Sequence, residues 1–275
     1  MSKNNATCLS AASASKQVQL FVPCYVDQFF PEVAEATVRV LEVAGWTVFF
    51  PREQTCCGQP AFNSGYWREA HRVARTWLAA FRPDLPVVAP SGSCVSMVRH
   101  FYRELPWRRA ELRRWQDLKP QVYELSQFLV SACGLRQWQG KLPLRVAFHD
   151  ACHALRELGI REEPRLLLSG IQGLELVEPA EPEVCCGFGG TFSVKFPELS
   201  TAMAERKARA LVDSAAQAVV STDMSCLMQI GGFLQKQGYP IRAWHLAQVL
   251  AAAVDPSFRR GFARNERQET APGPA

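Results

Sequence analysis

The sequence predicts an α/β fold of two tandem pseudo-symmetric repeats, each a mainly parallel sheet flanked by helices, with cysteines on loops at the strand carboxyl ends. Three observations predict it. First, Cys24, Cys56-Cys57-Gly58 and Cys94 are followed by Cys152, Cys185-Cys186-Gly187 and Cys226, at intervals of 32 and 37 residues in one copy and 33 and 40 in the other. Second, the likeness runs beyond the cysteines: VVAPSGSCVSMV at 87–98 matches VVSTDMSCLMQI at 219–230. Third, apolar runs of strand length alternate with amphipathic stretches of helix length throughout.

The elements follow in order. VQLFVP at 18–23 reads as a buried strand. PEVAEATVRVLEVAG at 31–45 is a helix with Pro31 at its start and Gly45 at its end, and WTVFF at 46–50 and LPVVAP at 85–90 are the next strands. VYELSQFLVSA at 122–132 reads as the amphipathic helix closing the first repeat, matched by AWHLAQVLAAA at 243–253. In the second repeat LRVAFH at 144–149, LELVEP at 174–179, AQAVVST at 216–222 and YPIRAW at 239–244 are strands, and PELSTAMAERKARALVDSA at 197–215 is a helix. Such alternation calls for parallel pairing with right-handed crossovers, and parallel sheets bind ligands beyond the carboxyl ends of their strands. The expected organisation is a disordered tail at 1–17, repeats at 18–140 and 141–260, and a polar, Pro-rich tail at 261–275. Each repeat is long enough to bury a core of its own.

Composition narrows the function class. The net charge of +5 is too mild to indicate nucleic acid, no segment has the 18 apolar residues of a membrane span, and residues 1–17 lack a signal peptide's apolar run. A cytoplasmic setting is expected, where thiols stay reduced and a cysteine cluster reads as a metal site before it reads as disulfides.

Four thiols gathered from three points of one repeat suit an iron–sulfur cluster, whose irons take thiolate ligands. Cys24, Cys56, Cys57 and Cys94 are the candidate ligands of one cluster, and Cys152, Cys185, Cys186 and Cys226 those of the other. A helix opening near Cys94 or Cys226 would favour thiolates through its dipole. Gly58 and Gly187 would let the backbone approach a bulky core and bend beside it. The competing readings are zinc, disulfides and small buried hydrophobes. Zinc is the strongest rival because it accepts four thiolates, although adjacent cysteines serve a multi-iron core more easily than one tetrahedral ion. Cys8 and Cys133 read as non-ligands. His149 and His153 flank Cys152 and could bond a cluster sulfur or accept a proton, whereas His245, aligned with Glu124, reads as a helix-start residue. GFGG at 187–190 lacks the context of a nucleotide loop.

One insertion distinguishes the repeats. The segment at 99–119 carries seven Lys/Arg against three acids, within about eleven residues of extra length in the first copy. A solvated face is one reading. A docking surface for an acidic partner, with Arg108, Arg109, Arg113 and Arg114 as contacts and Trp107 and Trp115 as anchors, is the other.

The segments QTCCGQPAFNSGY at 54–66, PSGSCVSMV at 90–98, LGIREEP at 158–164, CCGFGGTFSVK at 185–195 and DMSCLMQIGG at 223–232 resemble the cysteine-rich CCG family of iron–sulfur proteins. That family includes the heterodisulfide reductase catalytic subunit, and the likeness is greatest to its lactate-utilisation members. The resemblance implies an iron–sulfur electron-transfer subunit of a complex oxidising L-lactate to pyruvate, holding one 4Fe-4S-type cluster per repeat. It also implies two further lactate-utilisation subunits as partners, one an iron–sulfur protein, and contact with L-lactate; the lack of a nucleotide-binding loop predicts an oxidoreductase that does not use NAD and is inactive alone. The alternatives are a thiol–disulfide reductase subunit and a zinc-stabilised scaffold. One departure is present: the family's terminal C-x-x-C pair here begins with Ser91 and Asp223.

Overall fold

Parallel strands cannot be joined by tight turns, so successive strands within each sheet are linked by crossovers carrying helix. The structure, a computed structural model, describes residues 16–259. The first half runs β1 (Gln17–Leu20), α1 (Cys24–Phe29), α2 (Pro31–Val43), β2 (Thr47–Phe49), α3 (Gln59–Asn63), α4 (Trp67–Ala80), β3 (Val87–Ala89), α5 (Gly92–Arg99), α6 (Arg109–Leu118), β4 (Val122–Glu124) and α7 (Leu125–Gln127). The second half runs β5 (Lys141–Phe148), α8 (Cys152–Arg156), α9 (Glu162–Ser169), β6 (Gln172–Val177), α10 (Phe192–Lys195), α11 (Pro197–Asp213), β7 (Ala218–Ser221), α12 (Met224–Lys236), β8 (Arg242–His245) and α13 (Leu246–Val254). Apart from α6, which lies in the insertion, each element of one half has a counterpart in the other.

The two four-stranded sheets have the orders β2-β1-β3-β4 and β6-β5-β7-β8, and all pairings are parallel. The predicted fold class is thus the observed one. In such an order the chain leaves β1 to one side and returns to β3 on the other, which opens a crevice at the carboxyl ends of those two strands. The same switch lies between β5 and β7. Both crevices are where cysteines emerge: Cys24 and Cys152 follow β1 and β5, and Cys94 and Cys226 follow β3 and β7.

Two expectations are corrected. VYE at 122–124 is a strand, β4, ahead of the closing helix, and the turns after α7 widen into a π-helix over Phe128–Ala132. Gln17, assigned to the tail, opens β1 and its register with β2. Residues 1–15, with Cys8 among them, and the tail at 261–275 lie outside the described residues.

The halves also do not keep separate cores. One apolar cluster runs from Val18, Val33 and Leu41 through Phe128 to Val146, Leu167, Val219 and Leu250, and so joins both sheets. A second, around Trp77, Phe81 and Tyr102, belongs to the first half. The reason is the placement of the closing helices. α13 packs on α2 of the other half, and α7 packs on α9 reciprocally. α13 is apolar nearly all round, and residues Leu246–Ala253 are all buried, which is expected of a helix enclosed between two layers.

Candidate metal centre

Three loops deliver each set of thiols. In the first half Cys24 starts α1, the Cys56-Cys57 pair precedes α3 and Cys94 lies in the first turn of α5. Cys24 Sγ lies 3.5 Å from Cys56 Sγ, and Cys57 Sγ 3.5 Å from Cys94 Sγ. In the second half Cys152 and Cys185 are hydrogen-bond neighbours, as are Cys186 and Cys226. None of the eight is in a disulfide. All of them except Cys56 line one cleft of about 900 Å3, counted to its open mouth, which both halves share. Tyr25 of α1 meets Phe188 of the other half edge to face at 5.6 Å across this cleft.

The glycines after the cysteine pairs make the expected bend, and the close approach is to the following helix. Gly58 and Gly187 both take left-handed backbone (φ 84° and 86°), and a Cβ at Gly187 would stand 2.6 Å from the Ser200 carbonyl oxygen of α11. Their job is to turn the chain against the following helix. Their N–H groups point at sulfur: Gly58 N donates to Cys56 Sγ at 3.4 Å and Gly187 N to Cys185 Sγ at 3.5 Å.

The electrostatics repeat in the same way. The Cys24 thiol, then that of Cys57, holds Cys56 down to about 3. The thiols of Cys152 and then Cys186 hold Cys185 down to about 2. Their neighbours pay the difference: hydrogen bonding to Cys56 and burial raise Cys24 and Cys57, and hydrogen bonding to Cys185 and burial raise Cys152 and Cys186. Cys56 and Cys185 are thus favoured as thiolates, and ionising the raised thiols beside them needs a cation among the sulfurs. Convergent, unbridged thiols with this property fit a thiolate-ligated metal group.

The departure at Ser91 and Asp223 has a structural role. These equivalent residues form an isolated antiparallel bridge between the halves. The Asp223 carboxylate accepts from Ser93 N at 2.8 Å and Ser91 Oγ at 3.3 Å in the first half, and from Ser225 Oγ at 2.6 Å on its own helix. Asp223 also accepts from Ser225 N as the N-cap of α12, and Ser91 accepts from Cys94 N as the N-cap of α5. Gly92 closes the contact, since a Cβ there would meet Ala154 Cβ at 2.6 Å.

The remaining candidates divide. His149 is buried behind Cys186 and Cys226, and one ligand atom of each of the three lies within 4.8 Å of the others. His153 Nδ1 lies 3.6 Å from Cys152 Sγ. His245 is a capping residue as expected, its Nδ1 accepting from Ala247 N at 3.0 Å. Cys133 is buried in the core outside the cleft. Sequence reasoning missed Tyr102, whose hydroxyl donates to the Cys57 carbonyl at 2.9 Å, and the buried Lys207, whose Nζ donates to the Glu181 and Pro182 carbonyls. Neither carries a motif.

The cysteine-rich domain model named CCG matches residues 18–99 and 146–231, one match per half. The chain is 42% identical over 242 residues to "Lactate utilization protein A 2" of Bacillus cereus (strain Q1), spanning 86% of this chain and 99% of that protein. The chain belongs to this cysteine-rich CCG family, among the lactate utilization A proteins. A second relative in the family, "Lactate utilization protein A" of Exiguobacterium sp. (strain ATCC BAA-1283 / AT1b), is 44% identical over 86% of this chain and 98% of its own length. Family membership agrees with the geometry, because each matched segment encloses one complete four-thiol set. Among solved structures, a hypothetical protein from Helicobacter pylori superposes with a TM-score of 0.64 at 11% identity, over 96% of this chain and 54% of that one. That likeness concerns the fold.

Proposed function

We propose that this chain is an iron–sulfur electron-transfer subunit of a system that oxidises L-lactate to pyruvate. The observation that carries the reading is the convergence of two equivalent four-thiol sets on one cleft, in a chain whose relatives bear lactate-utilisation names. Cys24, Cys56, Cys57 and Cys94 would hold one 4Fe-4S-type cluster and Cys152, Cys185, Cys186 and Cys226 the other. Such clusters supply one-electron transfer when bound. The residues of the chain confer the rest: Gly58 and Gly187 N–H groups stabilise thiolate charge, and Tyr25 with Phe188 restricts solvent at the cleft.

The proposed setting is the cytoplasm, in company with two further lactate-utilisation subunits, one itself an iron–sulfur protein. No helix among the described residues is long and apolar enough to cross a membrane. Arg108, Arg109 and Arg113, exposed on and beside α6, are the proposed partner contact. The two tryptophans are withdrawn from it: Trp115 is buried and donates to the Val98 carbonyl at 2.7 Å, and Trp107 Nε1 donates to the Tyr102 carbonyl.

The test is anaerobic purification with iron and acid-labile sulfide analysis. One four-iron cluster per half gives about eight irons and eight sulfides per chain. Cys94→Ser or Cys226→Ser is expected to lower both by about half. A colourless protein holding stoichiometric zinc would instead establish the scaffold reading, which uses the same thiols.

A further inference from the structure

The two halves also differ in what stands immediately behind their thiols. Phe21 N donates to the Val88 carbonyl at 2.9 Å, and His149 N donates to the Val220 carbonyl at 2.8 Å, so Phe21 and His149 occupy the same place after β1 and β5. Gly58 abuts Ala70 of α4 and Gly187 abuts Ser200 of α11. Seven residues further along these helices stand Trp77 and Lys207. The first set is therefore backed by an aromatic pair, Phe21 and Trp77, meeting edge to face at 5.4 Å. The second is backed by an imidazole and an ammonium group, both 1% exposed.

A buried polar side chain normally has its partners, and an orphaned one calls for a reason. Lys207 has them in the Glu181 and Pro182 carbonyls at 2.8 and 3.0 Å. His149 does not: neither Nδ1 nor Nε2 completes a hydrogen bond of ordinary geometry. An imidazole with no partner, enclosed by protein and facing two thiols, is an unfavourable arrangement unless something else occupies the nitrogen. Its surroundings are built for a ligand. The Pro182 carbonyl lies beside the ring, short of a hydrogen bond of ordinary geometry; a backbone carbonyl in such a place commonly orients ligating histidines. That carbonyl is held inward by Lys207, on a strap where Glu181 takes left-handed backbone at φ 53°, a conformation costly for a residue with a Cβ.

We propose that His149 is a nitrogen ligand of the second metal centre, beside Cys186 and Cys226, so that the two repeats hold chemically different centres. The first centre is ligated by sulfur alone, because Phe21 offers no donor in the equivalent place. The second combines sulfur and nitrogen, with His149 in the place of one of the four thiols of that set. Lys207 is a positioning residue that acts through Pro182. The inference rests on the chain being a metal protein as proposed above.

The experiment uses the full chain labelled with 15N-histidine, reconstituted anaerobically with ferrous iron and sulfide, and examined by pulsed electron paramagnetic resonance in the reduced state. The wild type is expected to show the strong 15N coupling of a directly bound imidazole, and His153→Ala to retain it. In His149→Phe, which copies the residue already present in the first half, the coupling is lost while the first centre's signal remains. If this variant does not fold, the labelled wild type and His153→Ala decide the matter between them. Iron bound without strong nitrogen coupling in the wild type, or coupling that survives His149→Phe or vanishes in His153→Ala, overturns the ligand assignment and leaves the cluster reading standing. Absence of bound iron overturns the cluster reading, and the ligand assignment with it.

Discussion

At the scale of single residues, the cysteine pairs depend on two glycines that are not equally replaceable. Left-handed backbone costs an alanine about 1 kcal/mol or somewhat more at either position. Gly58→Ala adds a 3.2 Å approach to the Ala70 carbonyl oxygen, whereas Gly187→Ala drives a methyl to 2.6 Å from that of Ser200. Thermal unfolding should therefore rank Gly187→Ala well below Gly58→Ala, and equal losses would refute the contact argument. Glu124, the buried N-cap of α7, supplies a pH signature. Burial lifts its carboxyl to about 7 despite hydrogen bonds from Ser126 and Gln127. The folded state then keeps a proton that the unfolded chain releases above about 4.5, so stability falls as pH rises from about 4.5 to 7, by about 3 kcal/mol in full. His149 and His245 work in the opposite sense. Burial lowers them to about 3 and about 4, so their contribution is present above the unfolded value near 6.5 and is lost as pH falls through the folded values. Subtracting the stability curve of Glu124→Gln from that of the wild type isolates the carboxyl, and a difference that stays flat between pH 4.5 and 7 would count against its burial.

At the scale of elements, strands were legible wherever an apolar run stood alone between breakers, as with VQLFVP before Cys24 or AQAVVST before Asp223. β4 was not, because VYE is only three residues long and merges into the apolar pattern of the helix that follows. The cysteine sets were legible because spacing is a property of the chain itself. The Gly92–Ala154 contact and the Ser91–Asp223 bridge join residues far apart in sequence, and no local pattern announces them. The basic insertion shows the same limit, since its charges look alike in sequence and differ in place. Arg114 donates to the Leu78 and Phe81 carbonyls at 2.7 and 2.8 Å, satisfying backbone groups near the end of α4 that the helix leaves open. Arg114→Ala is expected to cost about 1–2 kcal/mol of stability, while Arg108→Glu, Arg109→Glu and Arg113→Glu together should leave the unfolding midpoint nearly unchanged and weaken partner binding with a salt dependence. Denaturant titration of both proteins checks the first half of that contrast, and an equal loss from the triple reversal would refute it.

At the scale of the whole molecule, the expectation of two independent cores failed for a reason that the amphipathic pattern hides. A helix reports that it has a buried face, but not which layer covers it, and α13 finds α2 in the other half. The fragment 16–137 therefore lacks the cover for α2 that α13 provides. Expressed alone it is expected to show weak amide protection and exposed apolar surface, while the intact chain unfolds in a single transition. A stably folded fragment 16–137, seen as a dispersed amide spectrum and a cooperative melt, would contradict the shared core.

The bridge between Ser91 and Asp223 pairs a residue with its own counterpart, so it marks where the pseudo-twofold axis crosses the chain. Had the molecule been a homodimer of identical halves, whatever stood there would have faced itself. Two buried aspartates in contact would repel unless one held a proton, and two serines would leave no charge to gather Ser93 N and the two hydroxyls. Fusing the copies into one polypeptide frees the position from that constraint. An acid can sit on one side and a hydroxyl on the other, and the same licence lets the places of Phe21 and His149 diverge. Covalent linkage is thus what allows a symmetric architecture to become polar along the line joining its two cysteine sets.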